Sequence, residues 1–393
     1  MLSRSLGFLF LLTAVASRGA SQPAVSGTVP VVVDGNRVYA QVRFLRSDGT
    51  SRQAFVFVDM GSPSPLVSEE LFNELRLGDK APLRIQVGNL TAEALPGSVE
   101  STNWFPHFIA GKRKVEGLLP AGVLRKYQVV LDYAQAKLTL APPGALKPEG
   151  APVPIRINEK TGLIVVDASI NGASYPLTID NGSAYTWLRK SAARDWVAAH
   201  PEWQRGVGAV GASNMRMASD GVEATGTLLR LPEILLGPVR LQQVGALAIG
   251  PSETSDHFDM IGWYSSKNPE PVVGWLGGNV LRGFCLTIDY PNRMSYWVSQ
   301  SPPDTHDLDQ VGLTLQFAKG EYVVAGIAAK KERPTVEGVE VGDKLLQIDE
   351  LQTKGASWGL IFAALHGKPG EVRALVLERK GKPLRIQAVV TAF

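Results

Sequence analysis

An internal repeat constrains this chain more than any other feature. Residues 115–140 align without a gap onto residues 272–297. Val115, Gly117, Leu119, Val123, Leu124, Arg125, Asp132 and Tyr133 find identical partners at Val272, Gly274, Leu276, Val280, Leu281, Arg282, Asp289 and Tyr290. A repeat of this length implies two copies of one structural unit, so any fold assigned to the chain must contain that unit twice. The pattern upstream restarts as well. Val29-Pro30-Val31-Val32-Val33 and Val153-Pro154-Ile155-Arg156-Ile157 each lead through further strand-like runs into an Asp-X-Gly-Ser tetrapeptide.

Those tetrapeptides are Asp59-Met60-Gly61-Ser62 and Asp180-Asn181-Gly182-Ser183. Each follows a β-rich run, residues 54–58 and 175–179, so a strand delivers each aspartate into a glycine turn. One such tetrapeptide is an ordinary solvated turn, but two at equivalent places in a repeat predict two carboxyls facing each other. Close carboxyls cannot both ionise, and they share one proton, with one pKa pushed up and the other down. The ionised member can then take a proton from a held water while the protonated member polarises a carbonyl.

The spacing separates the copies. The aspartates lie 121 residues apart (180 − 59) and the repeat glycines 157 apart (274 − 117), so the second copy carries 36 extra residues (157 − 121). They fall within 192–264, where a helix over 192–200 ends at Pro201. The run Gly206-Val207-Gly208-Ala209-Val210-Gly211 follows. With glycines at Gly206, Gly208 and Gly211, it is a candidate flap or an ordinary flexible loop.

At 393 residues two to three domains are expected. A hydrophobic fraction of 45% and a charged fraction of 20% describe a globular chain, and the net charge of +3 is dispersed, so no nucleic-acid partner is expected. Arg4, the apolar residues 6–16 and the small-X-small Ala14-Val15-Ala16 read as an export signal over 1–20. The apolar run is short for a bilayer span, so no transmembrane segment is expected after signal removal; an uncleaved signal anchor is the alternative. Cys285 is the sole cysteine, so no internal disulfide forms. Export without disulfides suggests a periplasmic or secreted protein of bacterial type. His107, His200, His257, His306 and His366 are scattered, so neither metal nor cofactor is expected, and no nucleophile elbow or P-loop is found. Asp132 and Asp289 read as turn formers, Trp187 and Trp275 as core residues.

Strand candidates over 29–33, 38–44, 54–58 and 83–87, with a helix capped by Ser68, make the first copy mainly β. Pro- and Gly-rich residues 141–152 and Ser301-Pro302-Pro303-Asp304 read as linkers. The expected units are 21–145, 152–300 and 308–393. The last carries strand candidates over 313–317, 322–327, 344–348, 372–378 and 384–390, and a helix over 358–365.

On the two Asp-X-Gly-Ser motifs, Gly117-Leu118-Leu119 and Gly274-Trp275-Leu276-Gly277-Gly278-Asn279-Val280-Leu281, residues 29–298 resemble the bilobal aspartic protease superfamily with retropepsin-like lobes. That superfamily is the best-known setting of the shared-proton pair. Gly312-Leu313-Thr314-Leu315 and Val341-Gly342-Asp343-Lys344-Leu345-Leu346 make residues 308–393 resemble a PDZ domain. The resemblance implies a mainly β fold of two pseudo-twofold related lobes plus a C-terminal PDZ-like α/β domain. It implies an exported aspartic endopeptidase with Asp59 and Asp180 catalytic, flanked by Met60, Gly61, Ser62, Asn181, Gly182 and Ser183. The expected partners are a peptide or unfolded protein substrate, and a protein C-terminus at Gly312, Leu313, Thr314 and Leu315. One departure matters: family members carry Thr or Ser after each aspartate, and Met60 cannot supply that hydroxyl. A catalytically inactive peptide-binding or scaffolding protein is therefore the alternative.

Overall fold

A computed structural model describes residues 26–78, 81–103, 114–208, 222–250 and 259–393. The expected signal segment 1–20 and Gly211 of the candidate flap lie outside the described residues. The described chain is mainly β, with its strands in sheets of 13, 10 and 6. No helix among the described residues is long and apolar enough to cross a membrane.

The repeat is visible in strand register. Strand Gln128–Asp132 pairs antiparallel with strand Phe284–Asp289, and Val130 lies opposite Thr287, its own repeat mate. Gln128 faces Asp289 and Asp132 faces Cys285, two pairs that interchange when each residue is replaced by its mate 157 positions away. The pairing thus maps onto itself under exchange of the two copies. Asp132 and Asp289 hold the turns that follow these strands, as the sequence suggests: Asp132 accepts the Gln135 N–H at 2.9 Å, and Asp289 accepts the Asn292 N–H at 3.3 Å. Residues 141–152 are not a free linker throughout, because strand Ala151–Pro154 extends this sheet by pairing with strand Met294–Ser299.

The aspartate-bearing strands are central and apolar, as buried parallel pairing requires. Strand Ser51–Asp59 runs parallel to Val115–Pro120, with Val58 opposite Leu119. Strand Ala173–Ile179 runs parallel to Gly274–Leu276, with Ile179 opposite Leu276, the equivalent register. Val58, Leu119, Ile179 and Leu276 are fully or almost fully buried, and each contributes about 1.5–3 kcal/mol of apolar burial. Ser68 caps helix Glu69–Glu74 by accepting the Leu71 N–H at 3.1 Å.

The extra residues of the second copy build helix Lys190–Ala199 and a long hairpin, Thr227–Leu236 with Val239–Ile249, turning at Gly237 with a φ of 54°. The Gly237-Pro238 turn between two apolar runs signals that hairpin in the sequence, outside the strand candidates named there. The last sheet follows the expected strands, and helix Trp358–Leu365 lies where its apolar run places it. Its attachment is closer than the Pro-rich approach suggests. Asp307, Leu308, Asp309 and Gln310 are buried. Asp307 meets the buried Arg230 and accepts the Asn279 amide at 2.7 Å, while Arg230 also reaches the Phe393 carbonyl at 3.0 Å.

Candidate functional site

The two Asp-Gly turns have the same backbone design. The Ser62 N–H donates to the Asp59 carbonyl and the Ser183 N–H to the Asp180 carbonyl, both at 3.3 Å. Each serine carbonyl is held by an equivalent donor, Ala121 N–H at 3.0 Å and Gly278 N–H at 2.7 Å. The glycines are required by what lies opposite. A Cβ on Gly61 would stand 2.2 Å from the Asp180 carboxyl carbon, and one on Gly182 would stand 2.4 Å from an Asp59 carboxyl oxygen. Each carboxyl therefore packs on the other turn, and the sequence-predicted pair Asp59 and Asp180 is brought together.

Both aspartates are 8% exposed and hydrogen-bonded to each other. Burial pushes both carboxyls up; for Asp59 the Asp180 charge adds to it, and Asp180 is pushed up to about 6. Their supports differ. Asp59 accepts the Gly61 N–H at 2.8 Å, whereas Asp180 accepts Gly182 N–H at 2.9 Å and Ser183 N–H at 3.2 Å. The Tyr264 hydroxyl also points at Asp180 Oδ2, 3.5 Å away. More donors favour the ionised form, so Asp180 holds the negative charge and Asp59 the shared proton. The pair thus offers one donor and one acceptor side by side.

The motif residues between Asp and Gly play unlike parts. Asn181 crosses to the first turn, accepting the Met60 N–H at 2.7 Å and donating to the Val58 carbonyl at 2.8 Å. Met60 returns no such bond; its side chain is fully buried in the main core. The Ser183 hydroxyl donates to the Tyr185 carbonyl at 2.6 Å rather than to a carboxylate.

Three supporting residues escaped the sequence reading. Asn36 donates to the Ala184 carbonyl at 3.1 Å, and Arg37, 1% exposed, donates through Nε to the Gly182 carbonyl at 3.1 Å. The third is Tyr264, on helix Met260–Ser265, whose ring meets Trp275 at 4.9 Å; Trp275 stacks on Trp187 at 5.4 Å. Asn36 and Arg37 read in sequence as the end of a hairpin turn, and nothing local marks their reach of more than 140 residues.

The remaining predicted positions lie elsewhere. Gly206 sits in strand Gln204–Val207, which pairs with Thr227–Leu236 and, through Val207 and Ala329, with the C-terminal region. A Cβ on Gly206 would meet the Ala329 carbonyl at 3.0 Å, and Gly208 lies beside Ala328. Leu313, Thr314 and Leu315 form the start of a strand at one end of the last sheet, buried and paired with Glu321–Ile327. Gly312 is packed against Thr335. Among the described residues no group of three or more His, Cys, Asp or Glu is arranged to hold a metal.

No family model matches this chain, and no curated protein matches it. Among solved structures it is similar to basic 7S globulin from soybean, at 14% identity and a TM-score of 0.42, covering 71% of this chain and 96% of that one. It is also similar to conglutin gamma, a basic 7S globulin from lupine seeds, at 12% identity and a TM-score of 0.39, with the same coverage. At these distances neither protein lends this chain a function.

These findings correct the family expectation. The similar structures named are seed globulins, and no family or curated match supports a retropepsin-like aspartic protease, an endopeptidase or a PDZ domain. With Met60 in the core, the amide that bonds from one turn to the backbone of the other is that of Asn181.

Proposed function

We propose that the chain is a binding protein for extended polypeptide, with the Asp59–Asp180 pair as its hydrogen-bonding station. On this reading, residues 21–145 and 152–300 are two β lobes related by a pseudo-twofold axis, residues 308–393 form a third domain, and the protein is exported. The observation that carries the reading is the asymmetric shared-proton pair between the two turns. A peptide group has one acceptor, its carbonyl, and one donor, its N–H. On binding, the Asp59 proton turns from Asp180 to the first, and ionised Asp180 accepts the second. Such a buried pair costs stability, which argues that it is kept for a ligand.

The test is calorimetric titration of unstructured peptides into the mature protein at pH 7, with recovered peptide weighed by mass spectrometry. Wild type is expected to bind and return the peptide intact, and Asp59→Ala, which removes the donor, and Asp180→Asn, which removes the charge, to lose binding while staying folded. Absence of binding by wild type overturns the reading, as does cleavage that depends on both aspartates.

A further inference from the structure

We propose that Arg37 is a positioning residue that sets the charge of the carboxyl pair: its buried guanidinium, held against the Asp180 turn, balances one negative charge, so the two carboxyls keep a single proton between them. The inference rests on the shared-proton pair of the binding reading and is independent of what ligand the pair holds.

Arg37 is among the largest fully buried side chains of the protein, and a guanidinium stays ionised in such a place. A buried positive charge needs a negative one nearby, because leaving it uncompensated costs several kcal/mol. The charged and titratable groups facing it are Asp34 and Tyr39 from its own hairpin, and Asp59 and Asp180. Around the carboxyls stand Tyr133, Tyr264 and Tyr290, all kept neutral because burial raises them. Arg37 is thus a cation acting on both members of the pair, and it favours the ionised form of each. Its position is secured at both ends of its turn. Arg37 Nε donates to Gly182, and neighbouring Asn36 bonds Ala184 and accepts from Arg282 at 3.0 Å. On the other side Asp34 accepts the Ser357 hydroxyl at 2.6 Å and the Gly359 N–H at 3.2 Å, at the start of helix Trp358–Leu365. The turn carrying Arg37 is therefore clamped between the Asp180 loop and the C-terminal helix.

Carbon-13 NMR titration of the aspartate carboxyls in the full mature chain tests this, with Asp59→Asn and Asp180→Asn providing assignments. Arg37→Gln is expected to raise the pH midpoint of Asp180 by about one pH unit or more, as removal of an adjacent opposite charge does. Arg37→Lys, which keeps the charge and loses the fork, is expected to stay near wild type. An unchanged midpoint in folded Arg37→Gln overturns the proposal. If Arg37→Gln does not fold at pH 7, the double variant with Asp180→Asn decides: the proposal expects folding to return once the pair's remaining carboxyl, Asp59, can stay neutral without a cation, and continued unfolding overturns it. None of these readouts uses a peptide, so failure of the binding reading and failure of this inference are distinguishable.

Discussion

The two Asp-Gly turns share backbone geometry and differ in the hydrogen bonds that set charge. The first presents one N–H to its carboxyl and sends Met60 into the core. The second presents two N–H groups, faces the Tyr264 hydroxyl and sends Asn181 across to brace its counterpart. A duplicated unit has thus kept symmetric scaffolding and divided its polar roles: one turn holds the proton, the other the charge and the bracing. Symmetric strand pairing positions two groups, and asymmetric hydrogen bonding makes them different.

The division is broken most severely at Asn181. Asn181→Ala strands the Met60 N–H and the Val58 carbonyl in a buried place, and each unsatisfied group costs about 1–3 kcal/mol. A loss of about 2–5 kcal/mol in chemical denaturation is expected. The contrasting variant, Met60→Leu, keeps volume and removes no hydrogen bond, so it should cost less than about 1.5 kcal/mol. Equal losses from the two variants would show that the bracing is not one-sided.

A second test uses pH. Asp180 is pushed up to about 6 in the folded protein, against about 4 in an unfolded chain. The native state therefore binds more protons than the unfolded state between those values, and stability falls as pH rises through that window. Acidifying wild type from pH 7 toward pH 4 should add on the order of 2–3 kcal/mol from this group. Asp180→Asn should flatten that part of the profile. Melting curves across the range decide, and an equal pH response in wild type and Asp180→Asn would remove Asp180 as the titrating group.

How much of this was legible in the sequence follows from the range of the interactions. Asp59, Asp180 and their glycines carry a local signature, a strand ending in a Gly turn, and the repeat multiplies it. The helix Trp358–Leu365 and the strands of the last sheet were legible for the same reason, since apolar runs and turn residues act over a few positions. The long hairpin at Gly237 carried a usable turn signal. Arg37 and Tyr264 had none: the first reaches Gly182 and the second Asp180 across long stretches of chain, and only the assembled fold brings them there. The family resemblance rested on the short motifs, and short motifs specify a turn more firmly than they specify chemistry.

A steric test comes next in size. Gly61→Ala would place a methyl group against the Asp180 carboxyl, and Gly182→Ala would place one against Asp59. The side chains can swing aside, so the expected destabilisation is about 1–3 kcal/mol. Separation of the carboxyls is the diagnostic result. Once apart they no longer share a proton, and the two coupled titration steps of the pair should become two independent carboxyl titrations by NMR. Retention of the coupled steps in both alanine variants would show that the turns do not set the distance between the carboxyls.

The smallest expected effect is at Tyr264, and it sharpens the comparison most finely. Its hydroxyl lies 3.5 Å from Asp180 Oδ2, the long limit of a hydrogen bond, and donates to the charge-bearing member of the pair. Tyr264→Phe keeps the ring on Trp275 and removes that one donor, so stability should change by about 0.5 kcal/mol or less. The titration midpoint of Asp180 should nevertheless rise slightly, because a donor to an ionised carboxylate favours the ionised form. The Asp59 resonance should move less than that of Asp180. Movement of Asp59 alone would place the proton on the other carboxyl and reverse the division of roles between the two turns, and equal movement of both would remove that division.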